Sequence, residues 1–299
     1  MLYHELNYNS STAVRSFLEQ RGMRLSKRFG QNFLVDPHIR HRICQTALAD
    51  LSDKESPFIW EIGPGIGSLT QELLAAGSRL TVFEIDHGLI AVLREFFAED
   101  LARMEIVTGD CVETLPAYAS NHALPDVLVG NLPYNAASAI LMTMLEKGLI
   151  PGRIIVMLQR ESALRLTASP GTKEYSAFSV ACQARCQVNQ EFDIPPESFF
   201  PRPEVVSRLV SLRPLVANQS SLAAASDLPP FFSALVRRAF QSRRKTLRNN
   251  FRSCQVYPGL SGELVLDAFS DLGIAAELRA ETVSVSQFIE VSRYLASRQ

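Results

Sequence analysis

From about residue 58 to residue 160 the chain alternates short apolar runs with longer amphipathic stretches. Phe58–Ile62 is an apolar run that stops at Gly63, and residues 80–84, 105–108, 127–129 and 154–157 are further runs of strand length. Stretches of helix length, such as 68–76 and 89–98, lie between them. Strand and helix in alternation predict an α/β domain built on a mainly parallel sheet covered on both faces. Residues 188–194 and 208–212 are two later strand candidates, separated by a proline-rich loop instead of a helix. They predict a late antiparallel hairpin at one side of the sheet. After Pro214 the texture changes. Residues 216–227, rich in Ala, Ser, Asn and Gln, read as a linker, and the remainder of the chain has a helical pattern. Asp227 is placed to cap a helix carrying Pro229 and Pro230 in its first turn. Ser261 starts another helix, which ends before Gly273. Ser284 and Gln287 form a capping-box pattern ahead of Phe288, Ile289, Val291 and Leu295. The expected organisation is an N-terminal extension over 1–24, an α/β domain over 25–215 and a small all-helical domain over 216–299.

Composition narrows the compartment. The 299 residues, 46% hydrophobic and 20% charged, describe an ordinary globular chain large enough for a domain and an appendage. No run approaches the ~18 apolar residues of a membrane helix. The first twenty-two residues are polar, without a signal-type apolar stretch. A cytoplasmic protein with no membrane partner is expected. The five scattered cysteines argue against a disulfide framework. Cys182 and Cys186, at helical spacing, read as buried small hydrophobes. His38 and His41 have no third ligand beside them, so no metal is expected.

Net charge is −1, yet its distribution is uneven. Residues 231–252 hold Arg237, Arg238, Arg243, Arg244, Lys245, Arg248 and Arg252 and no acid, whereas 255–299 carries three basic residues against six acids. Positive charge concentrated in this way suits a phosphate backbone.

The chemistry is written at the strand ends. Glu61-Ile62-Gly63-Pro64-Gly65-Ile66-Gly67 comes after a strand and before a helix. Glycines there permit a sharp turn and close approach of a ligand. The spacing is G-x-G-x-G, not the G-x-G-x-x-G of dinucleotide sites, and Pro64 removes an N–H that a pyrophosphate cradle would use. A cofactor without phosphate, such as S-adenosylmethionine, fits better. Glu84 ends the next strand, twenty-one positions after Gly63, where an acid can accept hydrogen bonds from a ribose. Asp86 has the same strand parity, so the pattern leaves the two acids open. Asp110, after the third strand, can accept a bond from an adenine amine, or simply cap a helix.

Asn131-Leu132-Pro133-Tyr134 comes directly after the fourth strand. The N6 amine of adenine is a poor nucleophile because its lone pair is delocalised into the ring. Two acceptors aimed at its hydrogens, the Asn131 side-chain oxygen and the Leu132 carbonyl, would draw the nitrogen towards tetrahedral geometry. Pro133 fixes the backbone that aims the second acceptor. Tyr134 offers a ring on which an extruded base can stack. Phe199 and Phe200, in the proline-stiffened loop 195–205, are candidates for the other side of a base sandwich or for packing of the loop. Residues 27–34 gather Lys27, Arg28, two phenylalanines and two amides, a composition suited to RNA contact or to a surface turn.

Together these motifs resemble the ribosomal RNA adenine N6,N6-dimethyltransferase family, in its small-subunit branch, over nearly all the chain from about residue 25. The resemblance rests on 28–34, 61–67, Asn131–Tyr134, 157–161, 199–207, 243–249 and 279–288. It implies a Rossmann-like S-adenosylmethionine methyltransferase sheet and a cofactor pocket of Asn32, Leu34, Gly63, Glu84, Asp110 and Asn131. It selects Glu84 over Asp86 and implies that Tyr134 and Phe199 hold the target adenine. The implied substrate is a pair of adjacent adenosines in the 3′-terminal hairpin of small-subunit rRNA, each receiving two methyls. Docking on rRNA would fall to the helical domain through Arg237, Arg243, Arg244, Lys245 and Arg248, with Arg28 as a further contact, and the protein would act as a monomer. Arg202 and Glu204 stand where the family usually has Pro and Lys, and 135–139 lacks the usual Thr or Pro after the tyrosine. The alternatives are the related large-subunit methyltransferase of macrolide resistance and a non-catalytic ribosome assembly factor.

Overall fold

The computed structural model describes residues 6–23, 31–133, 136–215 and 228–298. The chain opens with α1 (Ser11–Gln20), the short β1 (Phe33–Leu34) and α2 (Pro37–Leu48). Strand and helix then alternate through β2 (Phe58–Ile62), α3 (Ser68–Ala75), β3 (Arg79–Glu84), α4 (His87–Phe96), β4 (Met104–Thr108), α5 (Cys111–Ala119), β5 (Val127–Asn131), α6 (Ala137–Glu146), β6 (Arg153–Gln159) and α7 (Arg160–Leu166). After α8 (Ala177–Gln183) come β7 (Cys186–Ile194), β8 (Phe199–Phe200) and β9 (Ser207–Pro214).

Seven strands form one sheet in the order β4-β3-β2-β5-β6-β9-β7. From β4 to β6 neighbouring strands are parallel, and β9 runs antiparallel to β6. The late pair β9 and β7 thus extends the sheet beyond β6, as the proline-rich loop between two strand patterns predicts. Strands β2, β3, β5 and β6 are buried almost end to end, which is why they read as continuous apolar runs. The chain steps outward from β2 through β3 to β4, then returns to the other side of β2 with β5. That reversal is a switch point, where the carboxyl ends of neighbouring strands leave a crevice.

Contacts divide the chain into two compact units, Met1–Ala163 with Asn189–Arg213, and Leu164–Val188 with Pro214–Gln299. Residues 164–188 therefore group with the C-terminal helices, and the chain does not divide at one cut near 215. Tyr175, Val180 and Ala184 share an apolar core with Phe232, Leu247, Phe251, Phe269 and Phe288, and the Tyr175 hydroxyl donates to the Val283 carbonyl at 2.9 Å. A helix as short as α8 carries too little periodicity to announce which core it joins.

The second unit continues with α9 (Phe232–Ala239), α10 (Leu247–Phe251), β10 (Gln255–Tyr257), β11 (Leu260–Ser261), α11 (Gly262–Asp271) and α12 (Val285–Ala296). Among the described residues from 228 onward it is helical apart from the β10–β11 ribbon. Ser261 caps α11 by accepting from Leu264 N, and Ser284 with Gln287 closes the expected capping box on α12. Two expectations are corrected. First, α9 starts at Phe232, not in the turn that carries the prolines; Phe232 N donates instead to the Pro229 carbonyl at 2.9 Å. Pro230 disfavours helical geometry at Pro229, which delays the start. Asp227 lies outside the described residues. Second, Cys182 and Cys186 are both buried, but α8 ends at Gln183 and Cys186 opens β7, so they do not share a helix.

Candidate active site

Register brings the strand ends level. Ile62 lies opposite Phe83 on one side and Gly130 on the other, and Glu84 lies opposite Thr108. Gly63, Glu84, Asp110 and Asn131, at or just beyond these ends, therefore stand in one row. They border a cavity of about 290 Å³, which β1 also lines through Asn32, Phe33 and Leu34. The structure thus brings Asn32, Leu34, Gly63, Glu84, Asp110 and Asn131 to one cavity although they span a hundred residues.

The glycine loop is shaped by its backbone. Gly63, Gly65 and Gly67 have φ of +66°, +62° and +89°, a region that side chains with a Cβ rarely adopt. A Cβ on Gly65 would stand 3.0 Å from the Phe33 ring, and one on Gly67 would stand 2.4 Å from the Phe97 ring. Gly65 N donates to the Glu84 carboxylate at 3.3 Å, and that carboxylate also accepts from Ile85 N at 2.8 Å and Asp86 N at 2.9 Å. Burial raises the Glu84 carboxyl, and the three backbone donors oppose the rise.

Asp86 is used differently. It caps α4 by accepting from Gly88 N at 2.8 Å and receives the Gln31 amide at 2.7 Å. Helix α4 buries Leu89, Ile90, Val92, Leu93 and Phe96 against the sheet, each worth roughly 1.5–3 kcal/mol. Asp110 both borders the cavity and caps α5, accepting from Val112 N at 2.9 Å. The two readings of that residue are compatible.

At the end of β5, the Asn131 amide nitrogen donates to the Asn32 carbonyl at 2.6 Å. That bond fixes the amide at the border of the cavity and leaves its oxygen free of the Asn32 carbonyl. Leu132 is buried and Pro133 borders the cavity, its carbonyl accepting from Ala136 N and Ala137 N at 2.9 and 2.8 Å. Tyr134 and Arg28 lie outside the described residues. Phe199 is 3% exposed, pairs with Leu34 across the β1–β8 ribbon and belongs to the apolar core, so its ring is not brought to the cavity lining. Phe200 is half-buried, with the Arg15 guanidinium 5.3 Å from its ring centre. Arg202, at the other departure from the family pattern, pairs with Glu197 at 2.5 Å.

Several lining residues escaped the sequence reading. Glu61 is buried beside the cavity, accepts from the Thr70 hydroxyl at 2.7 Å and is pushed up to about 7, first by burial and then by the neighbouring Glu84 charge. It opens the glycine motif in the sequence, but with no role of its own beyond being a carboxylate in an otherwise apolar strand. Ile85 is an exposed apolar side chain on the rim next to Glu84. Cys111 also lines the cavity, but burial pushes its thiol up to about 12, which removes it as a nucleophile near neutral pH.

In the second unit Arg237 and Arg238 occupy the last turn of α9. Arg243 donates to the Lys173 carbonyl at 2.8 Å and pairs with Glu281 at 3.2 Å, and Arg248 pairs with Glu277 at 2.6 Å. Both arginine side chains remain exposed, at 45% and 60%. Exposed pairs of this kind are worth at most about 1 kcal/mol and exchange readily. Among the described residues no helix is long and apolar enough to cross a membrane.

Comparison with known proteins places the chain in a family. The family model for ribosomal RNA adenine dimethylase matches residues 22–297. Ribosomal RNA small subunit methyltransferase A of Treponema pallidum (strain Nichols) is 37% identical over 287 residues, covering 96% of each chain. The protein of the same name from Geobacter metallireducens is 39% identical over 277 residues, 91% of this chain and 96% of the other. Among solved structures, a dimethyladenosine transferase from Plasmodium falciparum shares the fold with a TM-score of 0.67 at 24% identity, over 88% of this chain and 97% of the other. The 23S rRNA methyltransferase ErmE has a TM-score of 0.58 at 25% identity, over 89% of this chain and all of its own. On its matched length, its sheet and its curated relatives, the chain belongs to the ribosomal RNA adenine dimethylase family.

Proposed function

We propose that this protein methylates N6 of two adjacent adenosines in the 3′-terminal hairpin of small-subunit rRNA, giving N6,N6-dimethyladenosine, during ribosome assembly in the cytoplasm. The observation that carries this reading is the Asn131 amide, held by the Asn32 carbonyl at the border of the cavity beside Gly63, Glu84 and Asp110.

The cavity suits S-adenosylmethionine. Gly65 keeps backbone open where a Cβ would press on Phe33, Pro64 lacks the N–H a phosphate would need, and Glu84 is a buried acceptor at a strand end. Glu84 would hold the ribose hydroxyls, Asp110 the adenine amine, and Asn32, Leu34 and Gly63 the walls. Glu61, on the same floor, would accept from the cofactor's ammonium. When bound, S-adenosylmethionine supplies an electrophilic methyl group.

The protein's own part is to make a poor nucleophile competent. The Asn131 oxygen and the Leu132 carbonyl accept from the adenine amine and turn its lone pair outward, while Pro133 holds the second carbonyl in place. Tyr134 and Phe199 stack the extruded base; because Phe199 is packed in the core, stacking on it requires β8 to shift. The methylated ammonium is acidic and needs no strong base. Arg28, Arg237, Arg243, Arg244, Lys245 and Arg248 hold the RNA backbone, and a single copy suffices. The large-subunit alternative keeps support in the ErmE likeness at 25% identity, but the relatives at 37–39% identity are small-subunit methyltransferases by name.

Asn131→Ala tests the assignment. Turnover on unmethylated small subunits should fall by about two to three orders of magnitude, the usual cost of one lost hydrogen-bond partner of a transition state. Turnover near that of the wild type would remove Asn131 from the mechanism.

A further inference from the structure

Residues 6–21 precede the matched family region, and neither the cofactor pocket nor the Asn131–Tyr134 motif gives them a role. Yet they touch the glycine loop. Tyr8 is 4% exposed, and its hydroxyl donates to the Ile66 carbonyl at 3.0 Å. The other end of the same peptide unit, Gly67 N, donates to the Pro64 carbonyl at 2.9 Å. The Ile66–Gly67 peptide is thus pinned at both ends. Gly67 sits at φ +89°, and glycine tolerates either sign of φ, so its own conformational preference does not hold this peptide plane. Two positions earlier Gly65 N points at the Glu84 carboxylate.

Helix α1 anchors Tyr8 from behind. Ser10 caps it by accepting from Ala13 N at 3.2 Å. Arg21, at its end, reaches both oxygens of Glu95 on α4 at 2.6 Å, and Phe17 packs against Phe96 with ring centres 5.3 Å apart. The segment therefore reaches the loop through Tyr8, and the α1–α4 contacts hold only the far end of the helix.

We infer that Tyr8 is a positioning residue of the cofactor site: its hydroxyl fixes the Ile66–Gly67 peptide and so sets the Gly65 N–H and Glu84 carboxylate in the geometry that receives S-adenosylmethionine. This role rests on the reading of the cavity as an S-adenosylmethionine site. It separates binding from chemistry, because Tyr8 acts on the glycine loop through the Ile66 carbonyl, whereas Asn131 and Leu132 act on the target amine.

Tyr8→Phe keeps the ring and deletes the hydroxyl. Calorimetric titration with S-adenosylmethionine should show a Kd about five- to tenfold higher than in the wild type, the size of one lost hydrogen bond. KM for the cofactor should rise in parallel, with kcat at saturating cofactor within about twofold and KM for the RNA unchanged. Glu95→Gln, which loosens α1 at its far end, serves as the control. It should lower the thermal midpoint while leaving cofactor Kd within about twofold. An unchanged Kd in Tyr8→Phe, a fall in kcat with KM unchanged, or an equal Kd change in Glu95→Gln would each overturn the inference. Wild-type protein that binds no S-adenosylmethionine would overturn the cofactor reading itself.

Discussion

Among the residues, Glu61 links the cavity to stability. Its carboxyl is buried, and its pKa of about 7 lies above the 4.5 of an exposed glutamate. A raised carboxyl favours the folded chain when protonated. That contribution is complete below about pH 4.5 and is lost as pH rises through about 7. Such a shift corresponds to something on the order of 3 kcal/mol. Glu61→Gln should therefore gain stability relative to the ligand-free wild type as pH rises from 5 to 7.5, read from urea midpoints at each pH. Parallel curves for the two proteins would show that Glu61 does not titrate in this window. Residues that border the cavity were legible where they stand at a strand end, as at Gly63, Asp110 and Asn131, with Glu84 separated from Asp86 only by the family resemblance. They were not legible where position depends on distant partners. Nothing near Tyr8 announces Ile66, fifty-eight residues on, and Phe199 is paired with Leu34 from across the chain.

Among the elements, strands and capped helices were readable from local pattern. The runs at 58–62, 80–84 and 105–108 lie within β2, β3 and β4 to within a residue of their ends: β2 and β3 are buried almost throughout, and the edge strand β4 shows itself through Ile106 and Val107. The serines of α11 and α12 act as caps because a side-chain oxygen satisfies an unpaired N–H whatever the tertiary setting. The β1–β8 and β10–β11 ribbons were illegible: two or three residues hold no periodicity, and pairing alone defines them. Packing at α11 yields a sharper expectation. A Cβ on Gly262 would stand 1.8 Å from the Phe251 carbonyl oxygen, backbone that cannot simply rotate away. Gly262 N also donates to the Cys254 carbonyl at 2.7 Å. Gly262→Ala should force α10 and α11 apart at a cost of about 2 kcal/mol or more, read as a lowered denaturant midpoint. A midpoint within experimental error of the wild type would mean that the junction is loosely packed.

In the whole molecule, the division of labour is visible in the charge. The overall balance is −1, but one segment of the second unit carries seven basic residues without an acid. Replacing Arg243, Arg244 and Arg248 together with Ala should weaken RNA binding. It should also lower the slope of log K against log salt by about two to three, one counterion for each lost phosphate contact. An unchanged slope would mean that these arginines serve Glu281 and Glu277 rather than phosphate. Domain membership was only half legible, since residues 164–188 join the second unit through Tyr175 and Val180, a choice made by packing and not by local pattern. Labelled S-adenosylmethionine should be supplied with small and large ribosomal subunits that lack the modification, and the rRNA digested to nucleosides. The expected product is labelled N6,N6-dimethyladenosine in small-subunit rRNA alone; label confined to large-subunit rRNA, or no label on either while the cofactor still binds, would rule out the proposed activity.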